Sequence, residues 1–253
     1  MASTGNDAND GSRGSPKRNF QSAHDAVAAG GQIVVLDTAG YGQLNINKSL
    51  AVTVPPGVNG FVTVSGTNNA ITVAAGAGSR VSLRGLIIEG GGSRASIGSG
   101  PGFGIYVLDV GTLTVEDCTI RNFLDALVFA PANAGASPLT VLAVYNTSVR
   151  NCSYGIDVQT PAGVSGVSIA YISGCRLDDL GDAIYSTNAY VRVEDSVVFN
   201  CDTGLHSANG NITTSACKFE TVSRVIAGNG NFGSFGNNTI VGASPFNANY
   251  PLK

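Results

Sequence analysis

Asp157, Tyr185 and His206 stand 28 and 21 residues apart, and Asp125, Tyr154 and Asp182 stand 29 and 28 apart. A carboxyl group and an imidazole brought side by side are suited to general acid–base work, since both can be tuned to exchange protons near neutral pH. The same set suits a polyhydroxylated ligand. Tyrosine offers a flat face to a sugar ring, and carboxylates accept hydrogen bonds from hydroxyls. Asp157, Asp182 and His206 are the candidate catalytic groups. Tyr106, Tyr154, Tyr185 and Asp125 are candidate substrate-binding groups. Arg121 and Arg150, with Arg176, add guanidiniums that suit a uronate or sulfate. None of this works unless residues so far apart in sequence are neighbours in space.

A repeat supplies that proximity. From Phe103 to Phe123, apolar residues alternate at Leu113, Val115, Cys118, Ile120 and Phe123, slipping by one at Asp117. This is strand periodicity broken by tight corners. Aligned on Cys118, the unit recurs at Thr147, Cys175, Ser196, Cys217 and Asn238, at spacings of 29, 28, 21, 21 and 21, and upstream at Leu86. A second anchor tracks it through Ile105, Leu127, Ile156, Ile184, Leu205 and Ile226. Units this short cannot bury their own apolar face, so they stack into a solenoid. Roughly eight coils at about 4.8 Å each make a rod on the order of 40 Å long. The position after the second anchor then points outward and holds Tyr106, Val128, Asp157, Tyr185, His206 and Ala227. A corner column of Asn122, Asn151, Asp179, Asn200 and Thr221 is read as structural, since asparagine tolerates left-handed backbone.

Composition narrows the classes. Across 253 residues the chain has 34 glycines, 12% charged residues and 43% apolar residues. A net charge of −3 and the lack of a basic run argue against nucleic acid. No run is long and apolar enough to span a bilayer, and Met1 opens onto polar sequence rather than a signal peptide. The five cysteines fall in two columns, one with Cys118, Cys175 and Cys217 and one with Cys152 and Cys201. Members of a column are two coils apart, about 9.6 Å, too far for a disulfide. They read as free, buried fillers, and no ligand spacing indicates a metal.

Residues 1–18 are a polar lead-in. Phe20, Ala23 and Val27 predict a short amphipathic helix within 19–31, stopped at Gly30-Gly31, that caps the open end of the solenoid; His24 on it reads as a surface residue. Extra residues at 91–102, 130–138 and 159–166 flank the strand that carries the second anchor, so loops would wall a trough there. The tail 244–253, with two prolines, reads as a cap at the far end.

The opening order of short helix, Gly30-Gly31, Ile33-Val-Val-Leu36, Gly40-Tyr-Gly42 and Leu44-Asn-Ile-Asn-Lys-Ser-Leu50 resembles that of the pectin-lyase-like right-handed parallel β-helix proteins. Pectate lyases, pectin esterases, polygalacturonases and phage tailspikes belong to that group. The resemblance covers about residues 19–242. It implies an all-β, single-stranded, three-sheet right-handed β-helix forming one domain over 19–253. It also implies an extracellular, cell-surface or periplasmic location, and it marks the Asn122 column as similar to the asparagine ladder of the group. Asp178-Asp179-Leu-Gly-Asp182 resembles the acidic motif of polygalacturonases. No His-Gly or Arg-x-Lys companion follows it, and Asp179 already serves the corner column. A pectate lyase would pair an arginine base with calcium-binding acids, and Asp178 alone is not such a cluster. No cofactor is therefore expected, calcium included.

Three readings remain: a polysaccharide-recognition module using the trough, a lyase or hydrolase acting on acidic polysaccharide, or a rigid adhesive rod of the tailspike kind. The residues favour recognition of a polysaccharide without a complete catalytic set. Oligomeric state has no signature in the sequence.

Overall fold

A computed structural model describes residues 1–91, 102–132 and 139–242. Every pairing between its named strands is parallel, and each strand pairs with the equivalent strand one coil on. Three faces result. The first carries Leu86–Glu89, Thr119–Arg121, Val197–Phe199 and Lys218–Glu220. The second carries Asp125–Phe129, Thr203–Ala208 and Arg224–Gly228. The third carries Leu139–Tyr145, Val167–Ser173, Tyr190–Glu194 and Asn211–Ser215. Long strands such as Ser148–Gln159 and Arg176–Thr187 bend from the first face into the second. The interior is a stack of like side chains. Leu44, Ile71, Ile105, Leu127, Ile156, Ile184, Leu205 and Ile226 lie in one file, eight members deep.

Single left-handed residues make the corners. Between the third and first faces these are Gly85, Asp117, Asn146, Gly174, Asp195 and Ala216, with φ from 47° to 75°. Between the first and second faces they are Asn122, Asn151, Asp179, Asn200 and Thr221, with φ from 51° to 67°. Glycine, asparagine and aspartate accept this conformation at low cost, whereas a β-branched residue does not. Thr221 is exposed and makes the corner at φ 53°. Thr221→Asn should therefore stabilise the protein by about 1 kcal/mol, read as a higher urea midpoint. An unchanged or lower midpoint would remove strain at this corner from the account.

The residue after the first of these corners is interior, and the corner explains its type. Cys118, Thr147, Cys175, Ser196 and Cys217 are all buried in one file. Each donates its thiol or hydroxyl to the carbonyl two residues back: Glu116, Tyr145, Ser173, Glu194 and Ser215 respectively. Cys152 and Cys201 do the same to Arg150 and Phe199 around the other corner. The small side chains are thus corner braces as well as fillers. All five thiols are free, and burial pushes those of Cys118 and Cys152 up to about 12.

At the N-terminal end, the helix Phe20–Ala26 lays Phe20 against Tyr41, with ring centroids 5.5 Å apart. His24 is buried, not a surface residue. It sits one turn from Phe20 on the same helix face, and its Nε2 faces the Asn47 amide. The lead-in is tied down through Asp37, which accepts from the Ser3 amide and hydroxyl and from the Tyr41 hydroxyl. The region proposed as a C-terminal cap lies outside the described residues but for its approach.

Candidate functional site

The second face is where most of the candidate side chains gather. Its strands are held in register by the interior file, so the outward positions between file members also align. Tyr106 pairs with Val128, Val128 with Asp157, Asp157 with Tyr185, Tyr185 with His206, and His206 with Ala227. One bend earlier, Asp125 pairs with Tyr154, Tyr154 with Asp182, Asp182 with Thr203, and Thr203 with Arg224. Six candidates, Asp125, Tyr154, Asp157, Asp182, Tyr185 and His206, therefore share one face across four neighbouring strands.

Their contacts bind them into a unit. The Tyr154 and Tyr185 rings meet edge to face with centroids 6.1 Å apart, and the Tyr185 and His206 rings do so at 4.6 Å. Edge-to-face contact suits the ring quadrupoles and leaves each flank accessible. His206 donates from Nδ1 to Asp182 Oδ2 at 2.7 Å. That bond fixes the tautomer and turns Nε2 away from the carboxylate.

The other two carboxyls are in a different setting. Asp157 is buried, 7% exposed, where strand alternation alone placed it in solvent. Gln159, two residues on and on the same side of the strand, donates to its Oδ2 at 2.5 Å. The Oδ1 atoms of Asp157 and Asp125 are buried without a hydrogen-bond partner among the described residues. Burial, and next the charge of Asp157, pushes Asp125 up to about 7. Burial, helped by Asp182 and opposed by Gln159, pushes Asp157 up to about 6. Burial, then the Asp182 charge, also raises Tyr154. Carboxyls that hold a proton near neutral pH can donate as well as accept hydrogen bonds.

The linkage has a definite sign. Asp125 binds its proton more tightly folded than unfolded, so its contribution is full below the usual 3.8 and is lost as pH rises through about 7. Asp125→Asn should lose less stability than the parent protein between about pH 4 and pH 8, by on the order of 2 kcal/mol in urea titrations. Parallel stability curves for the two proteins would contradict the burial of this charge.

Other candidates stand apart. Tyr106 shares the file but lies two strands from Asp157, and its ring packs on Phe103 at 4.8 Å. Arg121 and Arg150 lie on the first face, aligned with each other and with Asp178. Arg121 is already held by Glu89 at 2.5 and 2.8 Å, and Arg176 by Asp178 at 3.2 Å. The guanidiniums therefore do not join the carboxylate face. Asp178 and Asp182 fall on different faces, so the Asp178–Asp182 motif does not act as one unit. Among the described residues, no group of three His, Cys, Asp or Glu side chains could hold a metal ion. Of the trough walls, 92–101 and 133–138 lie outside the described residues. The loop after Gln159 is described, and Ser168 there bonds Thr160 and the Gln159 carbonyl. Gln159 was missed from sequence. Its signal was its place two residues after Asp157, hence on the same outward side.

No family model matches the sequence, and neither does any curated protein. Among solved structures, pectate lyase Pel9A aligns with a TM-score of 0.62 at 14% identity, over 99% of this chain and 80% of that one. Full-length tailspike protein 2 of the Escherichia coli O157:H7 bacteriophage CAB120 aligns at 13% identity and a TM-score of 0.39, over 87% of this chain and 38% of that one. At such identity the first likeness speaks to architecture, and the parallel coils, their corners and their interior files agree with it. The chain therefore folds as a right-handed parallel β-helix, the architecture it shares with pectate lyase Pel9A.

Proposed function

We propose that the second face binds a polysaccharide chain laid across its coils. The observation that carries this reading is the run of touching rings Tyr154, Tyr185 and His206, with Asp182 bonded to the last and two proton-holding carboxyls on the same face. Aromatic edges and faces pack on sugar rings, while carboxyl and imidazole groups satisfy the hydroxyls. The face carries more acid than base, so a neutral sugar chain fits it better than a polyuronate. A location outside the cell belongs to this reading.

A second reading, hydrolysis of the bound chain, is favoured by one observation. Asp157 at about 6 and Asp125 at about 7 have the proton affinity of a general acid, on the same face as His206 but two and three strands from it. The separation of function is experimental. On an array of immobilised polysaccharides, the protein should bind a subset, and Tyr154→Ala/Tyr185→Ala should bind the same subset at least tenfold more weakly. Equal binding by both proteins would end the proposal. Release of reducing ends from the bound polysaccharide, lost in Asp157→Asn, would convert recognition into catalysis.

A further inference from the structure

The third face holds a feature that the candidate site does not use. Tyr145, Tyr171 and Tyr190 are 39%, 44% and 52% exposed. Their placement is regular. Tyr145 lies opposite Ser173, Tyr171 opposite Ala143 and Arg192, and Tyr190 opposite Ile169. Each tyrosine is thus one strand on and two residues back from the last. With strands about 4.8 Å apart and a rise of about 3.3 Å per residue, successive tyrosines are about 8 Å apart on a straight diagonal about 16 Å long. The register across these strands has no shift, so the face is even. Its floor is small or aliphatic: Val141, Ala143 and Ile169 are buried or half-buried between the rings.

Charge decides what fits there. The guanidiniums flanking the row are both committed. Arg84 pairs with Asp117 at 3.0 Å and with Glu116, and Arg192 pairs with Glu194 at 2.5 Å while stacking over Phe235. A polyanion meets Glu116 and Glu194 beside the row, where both adjacent guanidiniums are already paired, and the exposed Arg80 lies two strands from Val141 at the far side. An uncharged chain meets no such penalty, and its ring faces match the phenols. The hydroxyl tips of the three tyrosines and of Thr114, Ser173 and Thr213 border the row and can bond sugar hydroxyls.

We propose that this diagonal is a second saccharide-binding surface, specific for an extended, uncharged polysaccharide and separate from the second face. It would hold the solenoid on a neutral glycan whatever occupies the carboxylate face.

The chain has no tryptophan, so its eight tyrosines carry the emission, and the substitutions below assign a change to one face or the other. The test uses a soluble, uncharged β-linked glucan as probe, with polygalacturonate as the charged control. Four proteins are compared: the parent, Tyr171→Ala/Tyr190→Ala, Tyr171→Phe/Tyr190→Phe and Tyr154→Ala/Tyr185→Ala. The parent should bind the glucan with little dependence on salt and bind polygalacturonate at least tenfold more weakly. Tyr171→Ala/Tyr190→Ala should lose at least tenfold in glucan affinity, the phenylalanine pair should keep most of it, and the second-face variant should still bind. Circular dichroism and melting confirm that each variant is folded. Loss of glucan binding only in the second-face variant would overturn this proposal and leave the other standing. Failure of the parent to bind any uncharged glucan would overturn it as well. So would a dimer of the parent that Tyr171→Ala/Tyr190→Ala dissolves, since the face would then meet a second copy.

Discussion

Gly155→Ala should destabilise the protein by about 3 kcal/mol or more, lowering the melting temperature by roughly 6–12 °C. A Cβ at this position would lie 2.3 Å from the carbonyl oxygen of Ala183 and 2.9 Å from Leu180 Cδ1. The first obstacle is backbone of the next coil, so it cannot swing away. Gly155 sits at the bend that turns each coil into the second face, just before the interior anchor Ile156. The equivalent Gly104 has the same problem, with the Ala126 carbonyl at 2.4 Å. Moving the Ala183 carbonyl would disturb the ladder that sets Asp157 beside Tyr185. Gly40→Ala is the control, because nothing lies within 4 Å of its Cβ and its backbone is unstrained. Equal melting temperatures for Gly155→Ala and the parent protein would mean that the coils are not packed as closely as described.

The second large effect is at the anchor itself. Ile156 is fully buried between Leu127 and Ile184 in the interior file. Ile156→Ala should cost about 2–5 kcal/mol, the loss of burial plus a cavity that a repeating stack cannot collapse to fill. Arg121→Ala should cost about 1 kcal/mol or less, since its pair with Glu89 is partly exposed. Similar losses from both substitutions, measured by urea unfolding, would contradict the assignment of inward and outward positions.

The contrast between these two residues also shows how far the sequence could be read. Inward positions were legible because each interior file holds side chains of similar size. Ile105, Leu127, Ile156 and Ile184 announce themselves, and corners announce themselves through asparagine and glycine at left-handed positions. Register followed from those two signals, and with it the alignment of Asp157 with Tyr185 and His206. What alternation does not report is what covers an outward residue. Asp157 is outward by register yet buried and bonded to Gln159, a contact between side chains that no periodicity encodes. Arg121 looked free for an anion because Glu89, its partner, lies one coil away at a spacing of 32 residues. His24 was misplaced for a different reason. Phe20, His24 and Val27 share one helix face, but a polar side chain on such a face reads as solvent-exposed until its partner, the Asn47 amide, is seen. The diagonal of Tyr145, Tyr171 and Tyr190 was equally implicit, since it needs the register of the third face rather than the second.

A saccharide lying against the second face would be seen by a reporter that the protein already carries. It has two histidines, one at each end of the question. His206 meets Tyr185 edge to face at 4.6 Å, and His24 is buried on the inner side of the N-terminal helix. Histidine ring signals should be followed by NMR while an oligosaccharide chosen from the polysaccharide array is added. The His206 signals should shift in proportion to occupancy, and those of His24 should stay in place. Saturation of the protein with neither ring shifting would contradict the claim.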